Sequence, residues 1–303
     1  MSFIVISITN NYTDFVDNLT KISIFASKIL VMYKGFEIKG VNTSSFGRLF
    51  DEYKGKGEDL MEQLSLRIIS DIESIVLKDS ILDGNMIMNK WFKRVDADVF
   101  ISHSHDDLPL ALALSGYLYD KLNIKCFVDS LIWGKADKLL ESIDKKYSRN
   151  IPDNGNYNYY KRNYSTSHVH NMLLMSITHM IDETDCLFFL NTPNSMPLED
   201  GIKKQTLSPW IYSEIEISRV IRKKLKKARE IKHFSASDTK ILEPVFESQS
   251  LEQLHVGYEL NTDHLLSIPI SYIKTIISFN DLTSQDHYTF LRFLYNKHKN
   301  YIE

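Results

Sequence analysis

The sequence predicts an α/β protein whose parallel sheet carries helices on both faces, and three observations predict it. Short runs apolar at strand density stand at residues 98–101, 123–129 and 186–190. Segments apolar at helical spacing follow them, at residues 111–120, at 138–144 and from Ser208 onward. The strands end in polar turns, Ser102-His-Ser-His-Asp106 after the first and Asn191-Thr-Pro-Asn-Ser195 after the third. Parallel strands need crossovers and each crossover covers a face, so the alternation implies helices above and below one sheet.

That layout is flavodoxin-like. Its ligand site is expected outside the carboxyl ends of the strands, where chain direction switches across the sheet. The turns after Ile101 and Asp129 and the helix start at Ser208 should open at that edge.

Residues 1–92 precede the alternating pattern and carry no nameable motif. Met61, Leu64, Ile68, Ile72 and Ile75 recur at spacings of three and four, which predicts an amphipathic helix over 59–78. A less regular helix is expected over 14–33, set apart by the polar Asn42-Thr-Ser-Ser45 and a Gly55-Lys-Gly57 turn. The region is expected to be mostly helical, separable, and regulatory or oligomerising. The alternating domain then spans 93–303.

Within that domain, residues 147–170 read as a long inserted loop. Tyr147, Tyr157, Tyr159, Tyr160 and Tyr164 are interleaved there with Arg149, Lys161 and Arg162, next to Lys146. Rings that stack on a base and cations that meet a pyrophosphate predict a lid at the ligand edge; a surface loop packed on its own tyrosines is the alternative. Basic residues crowd one side of 219–232 while Ile217, Val220, Ile221, Leu225, Ala228 and Ile231 keep an apolar stripe, the pattern of a solvated helix face. Phe290, Leu291 and Leu294 share a face and predict a closing helix over 283–302.

At the last of these landmarks, Ser208 suits a helix N-cap and Pro209 the first helical position, where a missing N–H has no partner to lose. Trp210 and Glu214, four residues apart, then share a face from which Glu216 points away. Taken alone, Glu214 reads as a surface glutamate.

In order, the strand and turn of Asp98-Val-Phe-Ile-Ser-His-Ser-His-Asp-Asp107 and the helix of Ser208-Pro-Trp-Ile-Tyr-Ser-Glu-Ile215 match the opening strand and the Trp-x-x-x-Glu helix of Toll/interleukin-1 receptor (TIR) domains, which this chain resembles. By that resemblance Ser130-Leu-Ile-Trp-Gly134 corresponds to the family's mobile loop, and Lys138-Leu-Leu-Glu-Ser-Ile-Asp144 to the helix after it. In TIR domains that cleave NAD, activity depends on the glutamate of the tryptophan pattern, a role that falls here on Glu214. Ser102 and His103 would line the nucleotide pocket, with Asp129, Trp133 and Trp210 as further contacts.

The chemistry implied is sound on its own terms. Breaking the nicotinamide–ribose bond passes through an oxocarbenium-like ribose, which a nearby carboxylate stabilises. Nicotinamide leaves from an already cationic ring, so one carboxylate suffices and no general acid is required. The resemblance implies NAD as substrate, no bound cofactor, antiviral depletion or signal production, self-association on activation, and a partner effector protein in the signalling case. The rival is a TIR module that only assembles, and a third outcome is transfer of ADP-ribose to an acceptor other than water.

Composition narrows the field further. A chain of 303 residues allows two domains at most, and 43% hydrophobic with 25% charged residues supplies a full core. A net charge of −3 argues against bulk attraction to nucleic acid or anionic membrane. Met1-Ser-Phe-Ile-Val-Ile-Ser-Ile8 lacks the features of a secretory signal, and no run reaches the ~20 apolar residues of a membrane helix, so a cytoplasmic protein is expected. Cys126 and Cys186 fall in strands and read as buried thiols. His168 and His170 would face one way on a strand, but no third ligand stands at a convincing spacing, so no metal is expected and polar residues at the start of a helix near the substrate edge fit better. Neither a Gly-x-Gly-x-x-Gly nor a phosphate-binding Gly-Lys-Ser/Thr loop is present, so hydride transfer and nucleotide triphosphate hydrolysis are unsupported.

Overall fold

The computed structural model describes residues 34–64, 82–92, 94–150, 156–197, 204–221, 256–279, 282–283, 289–291 and 293–294. In chain order the elements are β1 (Lys34–Lys39), α1 (Phe50–Leu64), α2 (Gly84–Trp91), β2 (Val99–Ser102), α3 (Leu108–Leu122), β3 (Cys126–Val128) and α4 (Ser130–Ile143). They continue with α5 (Tyr159–Glu183), β4 (Cys186–Asn191), β5 (Gln205–Thr206), α6 (Pro209–Val220), β6 (Tyr258–Glu259), β7 (Leu266–Pro269) and α7 (Ile270–Phe279).

Five strands form one parallel sheet in the order β3-β2-β4-β1-β7, flanked by helices, an α/β architecture consistent with a flavodoxin-like fold. Strand alternation divides its residues between two cores. Phe36, Ile38, Val99, Ile101, Val128, Phe188, Leu190 and Ile268 pack with residues of α1, α3 and α7. Phe100, Phe127, Leu187 and Phe189 pack on the other face with residues of α2, α4, α5 and α6. None of the described helices is long and apolar enough to cross a membrane.

The N-terminal expectation needs correction. Residues 34–64 are not a separable helical annex, because β1 lies inside the sheet between β4 and β7 and α1 packs lengthwise on α3. Gly57 makes no turn either. It sits within α1, where an added Cβ would strike the backbone of Leu112, and a Cβ on Gly116 of α3 would likewise strike the carbonyl of Tyr53. These glycines are where two helix backbones touch. The helix expected over 14–33 and the part of 59–78 beyond Leu64 lie outside the described residues, as does the basic stretch beyond Ile221.

Two further expectations differ from the fold. Ser130-Leu-Ile-Trp-Gly134 is the first turn of α4 and not a loop, since Ala136, Leu139, Leu140 and Ile143 keep helical spacing and no proline interrupts it. Glycine inside a helix costs only about 1 kcal/mol, which tertiary packing overrides. Residues 159–170 belong to α5, started by Asn158, whose side chain accepts the Lys161 N–H at 3.1 Å, and held by buried Ser165, Val169, Leu173 and Ile177. His168 and His170 therefore ride on a helix and not on a strand. At the far end of the chain Phe290, Leu291 and Leu294 are buried in the α1/α3/α7 core.

Candidate functional site

The site is built where β2, β3 and α6 meet at the carboxyl edge of the sheet. Ser102 ends β2, fully buried, on the same face as Phe100. Asp129 follows β3, one step beyond the Ile101–Val128 register pair, which sets it beside Ser102. Above them α6 begins as its sequence dictates, with the Ser208 hydroxyl accepting the Ile211 N–H at 3.2 Å and Pro209 in the first turn. Ile211 and Ile215 anchor the helix on the sheet, and Glu214, between them on the same face, is carried inward to 0% exposure.

Glu214 is the electrostatic anomaly of the molecule. Neither of its buried carboxyl oxygens meets a hydrogen-bond partner in good geometry. Burial and then the neighbouring Asp129 charge push its pKa well above the ordinary range, with Ser102 pulling weakly the other way. Burial beside a like charge thus favours the protonated form of Glu214.

His103, also buried, bridges toward the next helix. Its Nδ1 lies 2.6 Å from Asp129 Oδ1, short of linear hydrogen-bond geometry, and its Nε2 lies 3.2 Å from the Ser130 hydroxyl. Burial alone would depress this imidazole, but the Asp129 carboxylate reverses that and leaves its pKa raised. Of the expected residues, the fold therefore brings together Ser102, His103, Asp129 and Glu214. Trp210 stands one turn before Glu214, half-buried, its ring edge-to-face with His170 at 5.5 Å. Trp133 belongs to the first turns of α4, and its side chain lies outside the described residues.

Three groups were not anticipated. Asp107 stands at the N-cap of α3, but its side chain caps nothing. It is buried and receives the Thr192 hydroxyl and, at 2.8 Å, the Asn194 amide, tying the turn after β2 to the turn after β4. Ser130 was read as loop and becomes the polar partner of His103. Glu37 on β1 is 2% exposed and accepts the Asn191 amide at 2.5 Å. Its signal in the sequence is the acid held between two apolar residues in Phe36-Glu37-Ile38.

The tyrosine-rich segment lies elsewhere. Asn156, Tyr157, Tyr159, Arg162, Asn163 and Thr166 line an open depression of about 490 Å³ that none of the Glu214 group borders. Arg162 there is committed to Asp144 at 3.0 Å and to the Tyr157 ring at 5.3 Å. Cys126 and Cys186 are buried thiols that form no disulfide. Comparison with protein-family models, with curated proteins and with solved structures gives no match to this chain.

Proposed function

We propose that this chain is a cytoplasmic, TIR-like enzyme that cleaves the nicotinamide–ribose bond of NAD, with Glu214 as the group on which catalysis depends. The observation that carries the reading is a fully buried carboxyl group that meets no well-aligned hydrogen-bond partner, set beside Ser102 and Asp129 at the carboxyl edge of a parallel sheet. Such a group costs stability, and residues kept against stability cluster where function needs them.

A cationic nicotinamide ribose supplies the opposite charge that this carboxyl group would meet. Its positive charge draws down the pKa of Glu214, and the carboxylate so formed faces the charge that grows on the ribose as the bond breaks. His103, held by Asp129 and Ser130, keeps Ser102 and the edge turn in place. The site is closed over Glu214, which fits an enzyme opened by self-association, acting by NAD depletion or through a partner effector that senses an ADP-ribose product.

Mass spectrometry of NAD incubated with the purified chain, alone and at concentrations that drive self-association, tests the reading. Release of nicotinamide with ADP-ribose or a cyclic isomer supports it. Intact NAD in both states would leave the assembly module as the better account.

A further inference from the structure

The polar edge does not stop at Ser102. In the strand register Ser102 faces Phe189, which faces Glu37, and two residues on, along the same face, Asn191 pairs with Lys39. Glu37 points to the same side of the sheet as Phe189: two residues earlier, a Cβ on Gly35 would run into Leu265 and Leu187, members of the α6-side core. Two strand spacings separate Ser102 from Glu37, roughly 10 Å. A second buried carboxylate thus stands on the same face and at the same level as the Ser102–Glu214 pair.

Its surroundings differ from those of Glu214. Asn191 donates to Glu37 Oε1 at 2.5 Å, and the Lys39 ammonium, on a half-exposed side chain, lies 3.4 Å from Oε2. A carboxylate with a neighbouring amide suits the two hydroxyls of a ribose, and an ammonium at the rim suits a phosphate. Nothing in the packing of β1 requires a carboxylate here, where an apolar residue would join Leu187 and Phe189 without a desolvation cost.

We propose that Glu37, Asn191 and Lys39 form the subsite for the adenosine side of the dinucleotide, Glu37 and Asn191 taking the ribose diol and Lys39 the adenosine-side phosphate. The inference rests on the NAD reading of Glu214. It makes β1 part of the substrate site, so the crevice spans β3 to β1 and holds both halves of one ligand.

The test compares NAD with nicotinamide mononucleotide, which carries the same scissile bond and lacks the adenosine side. Glu37→Gln and Lys39→Ala in the full chain should each raise KM for NAD roughly ten- to hundredfold, with kcat within about twofold and the mononucleotide kinetics unmoved. Lys39→Ala guards against misfolding, because its half-exposed side chain leaves the core intact. Unchanged KM for NAD, or equal losses on both substrates, overturns the subsite while Glu214→Gln still reports on the catalytic reading. Should the wild-type chain turn over neither substrate, calorimetric titration with ADP-ribose decides. Binding that Glu37→Gln weakens at least tenfold upholds the subsite, and binding that is absent or unaffected ends it.

Discussion

The two faces of the sheet obey one alternation and reach opposite ends with it. On the α1/α3/α7 face every inward strand residue of the core is apolar, and helices close to backbone contact at Gly57 and Gly116. On the other face the same alternation delivers Phe100, Phe127, Leu187 and Phe189 along the strand bodies, then Ser102, Asp129 and Glu37 at the carboxyl ends, with Glu214 descending from α6. One face is built for stability alone; the other gives up stability at its edge to gather charge.

The comparison breaks most severely if β1 and α1 are removed. A chain starting at Val95 loses a central strand and the helix that fills the α3 groove, and is expected to be unfolded by circular dichroism with no thermal transition. Next comes Gly116→Val, which drives a side chain into the Tyr53 carbonyl and should cost on the order of 3 kcal/mol in denaturant unfolding. No comparable loss is expected from any single change at the polar edge.

Glu214→Gln sharpens the contrast because its two effects have opposite sign. NAD turnover should fall about 10²–10³-fold, whereas stability should rise. Since the folded-state pKa of Glu214 lies above the unfolded value, its proton is held more tightly by the native state, and wild-type stability declines as pH rises through that window. The Gln variant escapes this decline, so its advantage in Tm should grow from pH 5 upward. A variant less stable than wild type at pH 8 would mean that the carboxyl group has a structural partner.

A smaller effect of the other sign belongs to His264. Burial first, and then the Arg219 charge, depress its pKa to about 4. The native state resists protonating it, so its contribution is present above the ordinary histidine value of about 6.5 and is lost as pH falls from there toward 4. Substitution by Gln, which keeps a polar partner for Ser218, should flatten that limb of a Tm-against-pH curve. The smallest change expected is in NAD kinetics on replacing Lys161 and Arg162 together by Ala, because Arg162 lines a depression that none of the Glu214 group borders and Lys161 is its exposed neighbour on α5. A KM shift beyond about threefold would restore the lid reading.

What the sequence disclosed was whatever is local. The strands β2 to β4 are contiguous apolar runs and the α6 start is a Ser-Pro cap, whereas Glu214, taken alone a surface glutamate, is buried only because Ile211 and Ile215 dock its face on the sheet. The place of β1 could not be read that way. Lys34-Gly-Phe-Glu-Ile-Lys39 shows only two large apolar residues, and its partners lie far along the chain. The partners of Ser130 and Asp107 were hidden for a related reason, since each acquires its meaning from a residue on another element, His103 in one case and Thr192 with Asn194 in the other.

The position of β1 also sets the order of assembly. Glu37 and its partner Asn191 are 154 positions apart, and the strand must further wait for β7 before both its edges are paired. Ribosomes advance at about 5–20 residues per second, so β1 emerges roughly 8–30 s before the strand it needs, and contacts of such separation form late. An incomplete chain therefore has neither a closed sheet nor both carboxylates on one edge. Every site residue that depends on this sheet edge is therefore in place only after the whole chain has left the ribosome.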